Sequence, residues 1–263
     1  MRPPRDPRDD TSRARARAPD GKSDPAGRLW VGSKNLHCDK PTGALWSVDG
    51  TAEWTRHVEG VGVSNGLVWT RDRKTFYYID SPTRTIDAFD YNVRMGTISN
   101  RRVAVRVKDG DGYPDGCAID DEDKARVAPQ PRTATRRTAP PTRPRAAHAP
   151  CCDHASSSQV WVAMWEGGCV IRYDPKSGKE MMRVAIPGAK QVTSCAFGGA
   201  DLSTLYVTTA SAGIPQAEID REQPNAGALF AIDLKKQGVS GVPASAFKLP
   251  NEPKFNKKRA RGV

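Results

Sequence analysis

Two short polar motifs could supply oxygen ligands for a metal ion. Asn65 lies in a Ser-Asn-Gly sequence and Asp115 in a Pro-Asp-Gly sequence, and an apolar segment follows each motif. An amide oxygen and a carboxylate suit a hard cation such as calcium, magnesium or manganese, and zinc also accepts oxygen ligands. However, Asn-Gly and Asp-Gly are also the commonest two-residue hairpin turns. From these residues alone, a metal-binding role and a turn role both stay open.

The elements that would position these two residues form an internal repeat. An apolar strand, a turn and a second strand occur four times, within residues 29–49, 76–91, 160–174 and 205–233. Alternating apolar residues, rich in aromatic and β-branched types, indicate that both members of each unit are strands. Once residues 125–158 are left out, the aligned aromatic residues recur about every 45 to 50 residues, the length of a four-stranded propeller blade.

Further strands are predicted between these units, and two of them directly follow the two polar motifs. These strands cover residues 66–70, 116–120 and 194–199. The sequence therefore predicts an all-β propeller with about four blades, in which Asn65 and Asp115 lie in loops near the mouth of the central channel.

The net charge of +11 is concentrated in three segments of the chain. Residues 1–23, 125–158 and 251–263 together carry +12, so the rest of the chain is close to neutral. Segments rich in Pro and Arg, with few large apolar residues, cannot bury enough surface to offset the entropy of ordering. We therefore predict a disordered basic N-terminal segment (1–23), a partial propeller (24–250) interrupted by a disordered insert (125–158), and a basic C-terminal tail (251–263).

This charge distribution argues against a nucleic-acid partner, because the basic residues do not form a face on the folded part. No segment approaches the ~20 apolar residues of a membrane span, and the N-terminus lacks the apolar core of a secretory signal. We expect a soluble, cytoplasmic protein with neither a nucleic-acid nor a membrane partner. The acidic run of residues 120–123 is interpreted as a solvated turn rather than as a calcium loop, because it lacks the alternating ligand spacing.

Four longer segments carry a resemblance to a known family. They include GVGVSNGLVWTRDRKTFYYID, DGYPDGCAID, VWVAMWEGGCVIRYDPKSGK and TSCAFGGADLSTLYVT. These segments closely resemble the senescence-marker-protein/gluconolactonase/regucalcin family. The resemblance implies a six-bladed β-propeller that hydrolyses a sugar lactone to the aldonic acid, with one divalent metal ion at the top of the central channel.

The resemblance also implies roles for individual residues. The positions that match the family's metal ligands are Asn65 and Asp115, and Asp115 also matches the base that takes a proton from water. Calcium is the expected metal, with zinc, manganese and magnesium as alternatives. Arg17 matches a substrate contact, and Asp39 stands where the family can have an acidic substrate contact.

The sequence also departs from the family pattern. The family's third ligand is a Glu in a Gly-Glu-x-Pro motif, which does not occur here, and about two N-terminal blades are missing with it. The family's Arg-x-Asn-Asp stretch is Arg17-Ala18-Pro19-Asp20, so Pro19 replaces the Asn. Two alternatives to an active lactonase therefore stay open: a non-catalytic calcium-binding or scaffold propeller, and a truncated, inactive gene product.

Overall fold

The computed structural model describes residues 16–35, 37–121 and 158–248, and these residues form four antiparallel sheets arranged as consecutive blades. The strands of the first two blades are β2 (Gly21–Ser23), β3 (Leu29–Gly32), β5 (Gly43–Val48) and β6 (Trp54–Val61), then β7 (Ser64–Trp69), β8 (Thr75–Asp80), β9 (Thr85–Asn92) and β10 (Thr97–Arg106). Those of the third and fourth blades are β11 (Tyr113–Ile119), β12 (Val160–Trp165), β13 (Cys169–Asp174) and β14 (Lys179–Ala185), then β15 (Val192–Gly198), β16 (Thr204–Thr209) and β17 (Leu229–Asp233).

Within each blade the strands pair in chain order, so the first strand of each blade is innermost. The inner strands β2, β7, β11 and β15 contact one another in sequence and line a central channel. A separate two-stranded ribbon, β1 (Ala16–Arg17) with β4 (Lys34–Asn35), lies beside the first blade. One short helix, α1 (Gln216–Glu222), interrupts the fourth blade between β16 and β17.

The four-bladed propeller predicted from the repeat is confirmed. All eight strands of the repeated units are present, and the three strands predicted between the units are the inner strands β7, β11 and β15. The outer strands β6, β10 and β14 were not predicted. They lie at the periphery, and their largely exposed residues show no sustained apolar alternation for sequence reasoning to detect.

The N-terminal boundary predicted at residue 24 lies too far along the chain. Strands β1 and β2 fall within residues 1–23, a segment predicted to be disordered. Backbone pairing explains the error, because Gly21 lies opposite Val31 and the ladder between β2 and β3 needs no apolar side chain from β2. The Arg/Pro-rich insert, apart from Ser158, and the C-terminal tail lie outside the described residues.

Three apolar cores separate the four blades. Trp30, Leu67 and Phe76 belong to the core between blades one and two. The second core contains Ile79 and Val162, and the third contains Leu205 together with residues of the third blade. Each core consists of side chains from facing sheets, so burial ties neighbouring blades together at roughly 25 cal/mol per Å² of apolar surface.

Two buried aspartates fix an equivalent tryptophan in each of two blades. Asp24 accepts a hydrogen bond from Trp30 Nε1 at 3.0 Å, and Asp120 accepts one from Trp161 Nε1 at 2.8 Å. Each carboxylate also binds an arginine, Arg28 in the first case and Arg172 in the second. The interpretation of residues 120–123 as a solvated turn is therefore wrong for Asp120, and also for the buried Asp121, because tertiary partners far along the chain enclose them.

The outward faces of the two end blades expose large apolar side chains. Trp54 shares the face of Leu29 and Val48, which points away from the second blade. Tyr206 and Leu229 point away from the third blade in the same way, and Leu229 is 65% exposed. Such unpaired sheet faces favour association.

We therefore expect the 263-residue chain to be oligomeric or poorly soluble, as measured by size-exclusion chromatography. The double substitution Trp54→Ser and Leu229→Ser should shift it towards the monomer, because it removes apolar surface from both end faces. Met95→Ser is the matched control. Met95 is exposed on a turn of the second blade, so this change should leave the elution volume unchanged. Elution of the unmodified chain as a monomer would contradict this expectation.

Among the described residues, the structure contains no helix with the length and apolar character needed to cross a membrane.

Candidate functional site

A cavity of about 740 Å³ lies at one end of the central channel, where the inner strands begin. Three of the four residues that sequence analysis assigned to a site line it: Arg17, Asn65 and Asp115. They come from the β1 ribbon and from the inner strands of the second and third blades. Their separation in the sequence is large, and blade packing alone brings them together.

Asn65 and Asp115 lie in strands interrupted by bulges, not in turns as predicted. Strand β7 has a register shift at residues 64–67, and β11 has one at residues 114–117. A third shift occurs in β15 beside Thr193, which also lines the cavity. A β-bulge redirects a side chain and locally ends the pairing. Three consecutive blades thus direct an equivalent position towards the same cavity.

The glycine after each of these two residues is required by close packing. A Cβ on Gly66 would lie 2.7 Å from Cys117 Sγ, and one on Gly116 would lie 2.3 Å from Ser194 Oγ. Neither glycine has a left-handed φ, so a turn conformation is not the reason for them. The inner strands approach one another so closely that no side chain fits at these positions.

A short hydrogen-bond relay fixes the orientation of the Asn65 amide. Ser81 Oγ donates its single proton to the carbonyl oxygen of Pro114 at 2.6 Å. The same oxygen must therefore accept the bond from Asn65 Nδ2, at 2.7 Å. Because Ser81 holds the amide nitrogen, the amide oxygen, Oδ1, can bind a cation or accept a hydrogen bond from a hydroxyl group.

Asp115 is half-buried, and its pKa is raised to about 7. Burial is the main cause, the nearby carboxylate of Asp20 adds to it, and Lys34 partly opposes it. Burial also raises the pKa of Asp20, which lines the same cavity. Because two partly desolvated carboxylates lie near one another, binding of a cation between them would stabilise their charged forms.

Asp20 and Ser81 were not assigned to the site from the sequence. Asp20 is the last residue of the Arg-Ala-Pro-Asp stretch, and the family pattern of that stretch was the available signal. Ser81 follows strand β8, sixteen residues from Asn65 along the chain, and no local pattern links the two. Asp39, which was predicted to contact the substrate, is exposed on the loop after β4, and the cavity lining does not include it.

The cavity offers oxygen ligands, a cationic side chain and aromatic surface. Asn65, Asp115 and Asp20 provide amide and carboxylate oxygens, which suit calcium, magnesium or manganese. No group of three His, Cys, Asp or Glu side chains close enough to hold a metal ion exists among the described residues. The set therefore fits a hard cation that keeps several other ligands. Tyr113 and Trp165 at the rim add aromatic rings, which can pack against the apolar face of a sugar.

The Ser81 relay gives a prediction for metal binding. We expect Ser81→Ala to weaken calcium binding by about tenfold, because Asn65 would lose the contact that orients its amide, and loss of such outer contacts typically costs 10- to 100-fold. Isothermal titration with calcium measures the effect. Thr83→Ala is the matched control, since its hydroxyl lies on the same turn but bonds Asp80 and Thr85 instead. Equal calcium affinity in Ser81→Ala and the unmodified chain would rule out this positioning role.

Comparison with known proteins shows which family this chain resembles. The family described as "SMP-30/Gluconolactonase/LRE-like region" matches residues 6–141 and 150–211. Regucalcin of Danio rerio is 36% identical over 230 residues, covering 87% of this chain and 65% of that protein. A Bacillus subtilis protein named "Putative sugar lactone lactonase YvrE" is 34% identical over 224 residues, covering 85% of this chain and 64% of that protein.

A solved structure shows the same fold. The crystal structure of a calcium-binding protein, regucalcin, from Agrobacterium tumefaciens matches with a TM-score of 0.69 at 23% identity, covering 89% of this chain and 66% of that one. The chain spans about two thirds of the length of the curated relatives cited above. Since the family match extends over most of the chain and the blades have the same arrangement, this protein belongs to the SMP-30/gluconolactonase/LRE-like family of β-propellers.

Proposed function

We propose that this protein is a divalent-metal-dependent sugar lactonase that hydrolyses its substrate to the aldonic acid. The observation that carries the proposal is the convergence of Asn65, Asp115 and Arg17 on one cavity. These are three of the positions that match functional residues of the family. The size of the cavity also falls within the 300–1,000 Å³ typical of small-molecule sites.

Asp115 acts as the general base in this proposal. Its carboxylate takes a proton from water as the water oxygen attacks the lactone carbonyl carbon. The ring ester bond then breaks, and the proton passes to the leaving ring oxygen, which becomes the hydroxyl group of the open aldonic acid. Arg17, exposed at the cavity wall, donates hydrogen bonds to oxygen atoms of the substrate.

Asn65 Oδ1 and the Asp115 carboxylate would hold the metal ion, and Asp20 lies close enough to add charge. Calcium is the expected ion, and magnesium, manganese and zinc also accept oxygen ligands. When bound, the cation supplies polarisation of the lactone carbonyl and increased acidity of nearby water. Asp39 is exposed outside the cavity lining, so a substrate contact from it would require a substrate that extends beyond this cavity.

A second candidate function is a calcium-binding propeller without catalytic activity. The small number of family-type ligands in the cavity, Asn65 and Asp115, favours it, because a cation of this kind prefers six to eight oxygens. In that case, weak metal binding would be either the only function of the cavity or what remains of an earlier function.

Hydrolysis of D-glucono-1,5-lactone, followed by acid release in weakly buffered indicator solution, tests the proposal. Rates with calcium, manganese or zinc are compared with the spontaneous rate and with rates in EDTA. Metal-dependent turnover supports the lactonase. Calcium binding by titration without turnover supports the second candidate, and neither turnover nor binding would contradict both.

A further inference from the structure

A second cavity, of about 420 Å³, lies at the opposite end of the central channel. The same inner strands that begin at the first cavity end at this one. Strand β7 contributes Val68 and Trp69, β11 contributes Ala118 and Ile119, and β15 contributes Ala196 and Phe197. The two cavities are therefore separate in space and can take different ligands.

The chain after the fourth blade crosses the underside of the channel and closes this cavity. Val242 N donates to the carbonyl oxygen of Ile119 at 3.2 Å, in the third blade, and Lys248 N donates to that of Gly27 at 2.9 Å, in the first blade. Residues 242–245 between these anchors line the cavity. The space is thus bounded by all four blades and by this crossing segment.

The charged side chains that line the second cavity are all cationic. They are Lys22, Arg71 and Arg73, and no acidic residue contributes to the lining within the described ranges. Arg71 is already paired with the buried carboxylate of Asp121. Arg73 is exposed at the rim, on the hairpin between β7 and β8. Because Asp121 offsets the charge of Arg71, the positive charge of the lining rests mainly on Lys22 at the inner end and on Arg73 at the mouth.

Lys22 is the cation nearest the channel interior. Its ammonium donates to the carbonyl oxygen of Cys117 at 2.8 Å, a neutral acceptor, and the side chain is half-buried. No carboxylate lies within 4.0 Å of this ammonium in the described part of the chain, and nearby Asp20 lines the first cavity instead. A half-buried ammonium has three donors and is stabilised by an anionic acceptor.

The rest of the wall is mainly apolar. Val68, Ile119, Phe197 and Val242 belong to it, and the polar residues Ser23, Thr70 and Ser245 complete the lining. A half-buried cation beside a mainly apolar wall is complementary to a molecule with one anionic group and a short hydrocarbon body.

We propose that this second cavity binds an organic monocarboxylate with a short apolar chain. The carboxylate accepts a hydrogen bond from the Lys22 ammonium, and the hydrocarbon packs against Val68, Ile119 and Phe197. The exposed guanidinium group of Arg73 at the mouth attracts the anion. This site lies at the opposite end of the channel from the cavity proposed for the lactonase, and the two sets of lining residues do not overlap.

Isothermal titration of the full chain with sodium octanoate tests the proposal. We expect one octanoate per chain, and about tenfold weaker binding in Lys22→Met, which keeps the apolar stem and removes the charge. Lys179→Met, on an exposed outer strand, is the matched control and should bind like the unmodified chain. 1-Octanol has the same chain without the charge and should also bind about tenfold more weakly. Equal octanoate affinity in Lys22→Met and Lys179→Met would overturn the proposal.

A second variant covers the case in which Lys22→Met does not fold. Ser245→Trp, on the crossing segment, fills the cavity while leaving Lys22 in place, and it should abolish octanoate binding. Asp115→Asn should bind octanoate normally, because Asp115 lines only the first cavity. If Asp115→Asn or the Trp54→Ser/Leu229→Ser double variant removes binding while Ser245→Trp retains it, octanoate occupies another surface and the proposal is wrong.

Discussion

Replacing Asp115 with Asn is expected to reduce metal-dependent lactone turnover by about a thousandfold. The substitution keeps the size of the side chain but removes both a negative charge and the proton acceptor. General-base catalysis alone contributes about 10²- to 10⁴-fold, and the lost ligand charge adds to the effect. The neighbouring Asp20 carboxylate does not restore activity, because it lies in the connection between β1 and β2 and does not occupy the position of the base.

Values of kcat/KM for D-glucono-1,5-lactone at saturating calcium measure this effect. Asp109→Asn is the matched control, since Asp109 is an exposed carboxylate in a turn outside the cavity, and its turnover should be unchanged. Asn65→Ala should mainly raise the calcium concentration needed for half-maximal rate. Unchanged turnover in Asp115→Asn would exclude this cavity as the active site.

Replacing Asp120 with Ala is expected to lower the free energy of unfolding by about 3 to 5 kcal/mol. Asp120 is 1% exposed, and it accepts hydrogen bonds from Gln159 N at 3.0 Å, Trp161 Nε1 at 2.8 Å and Arg172 Nε at 2.7 Å. Removing the carboxylate takes this acceptor away from the indole N–H of Trp161 and from Nε of Arg172. Removing one partner of a buried ion pair is among the costliest single changes in a protein core.

Urea denaturation followed by tryptophan fluorescence measures this loss. The exposed ion pair between Asp90 and Arg102 provides the matched control, and Asp90→Ala should cost less than about 1 kcal/mol. Burial raises the pKa of Asp120 despite the opposing effect of Arg172, so desolvation outweighs the stabilisation of its charged form. The double variant Asp120→Leu/Arg172→Met should therefore be more stable than Asp120→Ala. If Asp120→Ala and Asp90→Ala are equally stable, the buried network is not a stabilising element.

Several features of the fold could be predicted from the sequence because their physical cause is local. Strand alternation, aromatic spacing and the Asn-Gly and Asp-Gly motifs lie within short windows, and a repeat makes each window comparable with the others. These signals identified four blades and the inner strands of the second, third and fourth. The resemblance, rather than the residue pattern, gave Asn65, Asp115 and Arg17 their roles, and the structure places all three on one cavity.

Other features depended on contacts between blades and left no local signal. The two aspartates that bind tryptophans differ in this respect. Asp24 is six residues from Trp30, whereas Asp120 is 41 residues from Trp161 and was predicted to be part of a solvated turn. The outer strands, paired on one side only, lack a strong pattern. Asp39 has the right residue type for the site but stands on an exposed loop outside the cavity lining.

The sequence alone thus determined the strands of the repeated units, the blade repeat and the residue types available for the site. Only the tertiary structure decided which of them meet. Strand formation depends on alternation along one segment, whereas a cavity depends on where separate blades pack. Bulges in β7 and β11 direct Asn65 and Asp115 to one end of the channel, and Ser81 then orients the Asn65 amide through Pro114 of the next blade. Such partners become neighbours only after the blades have packed. Their separation along the chain gives no signal of this contact.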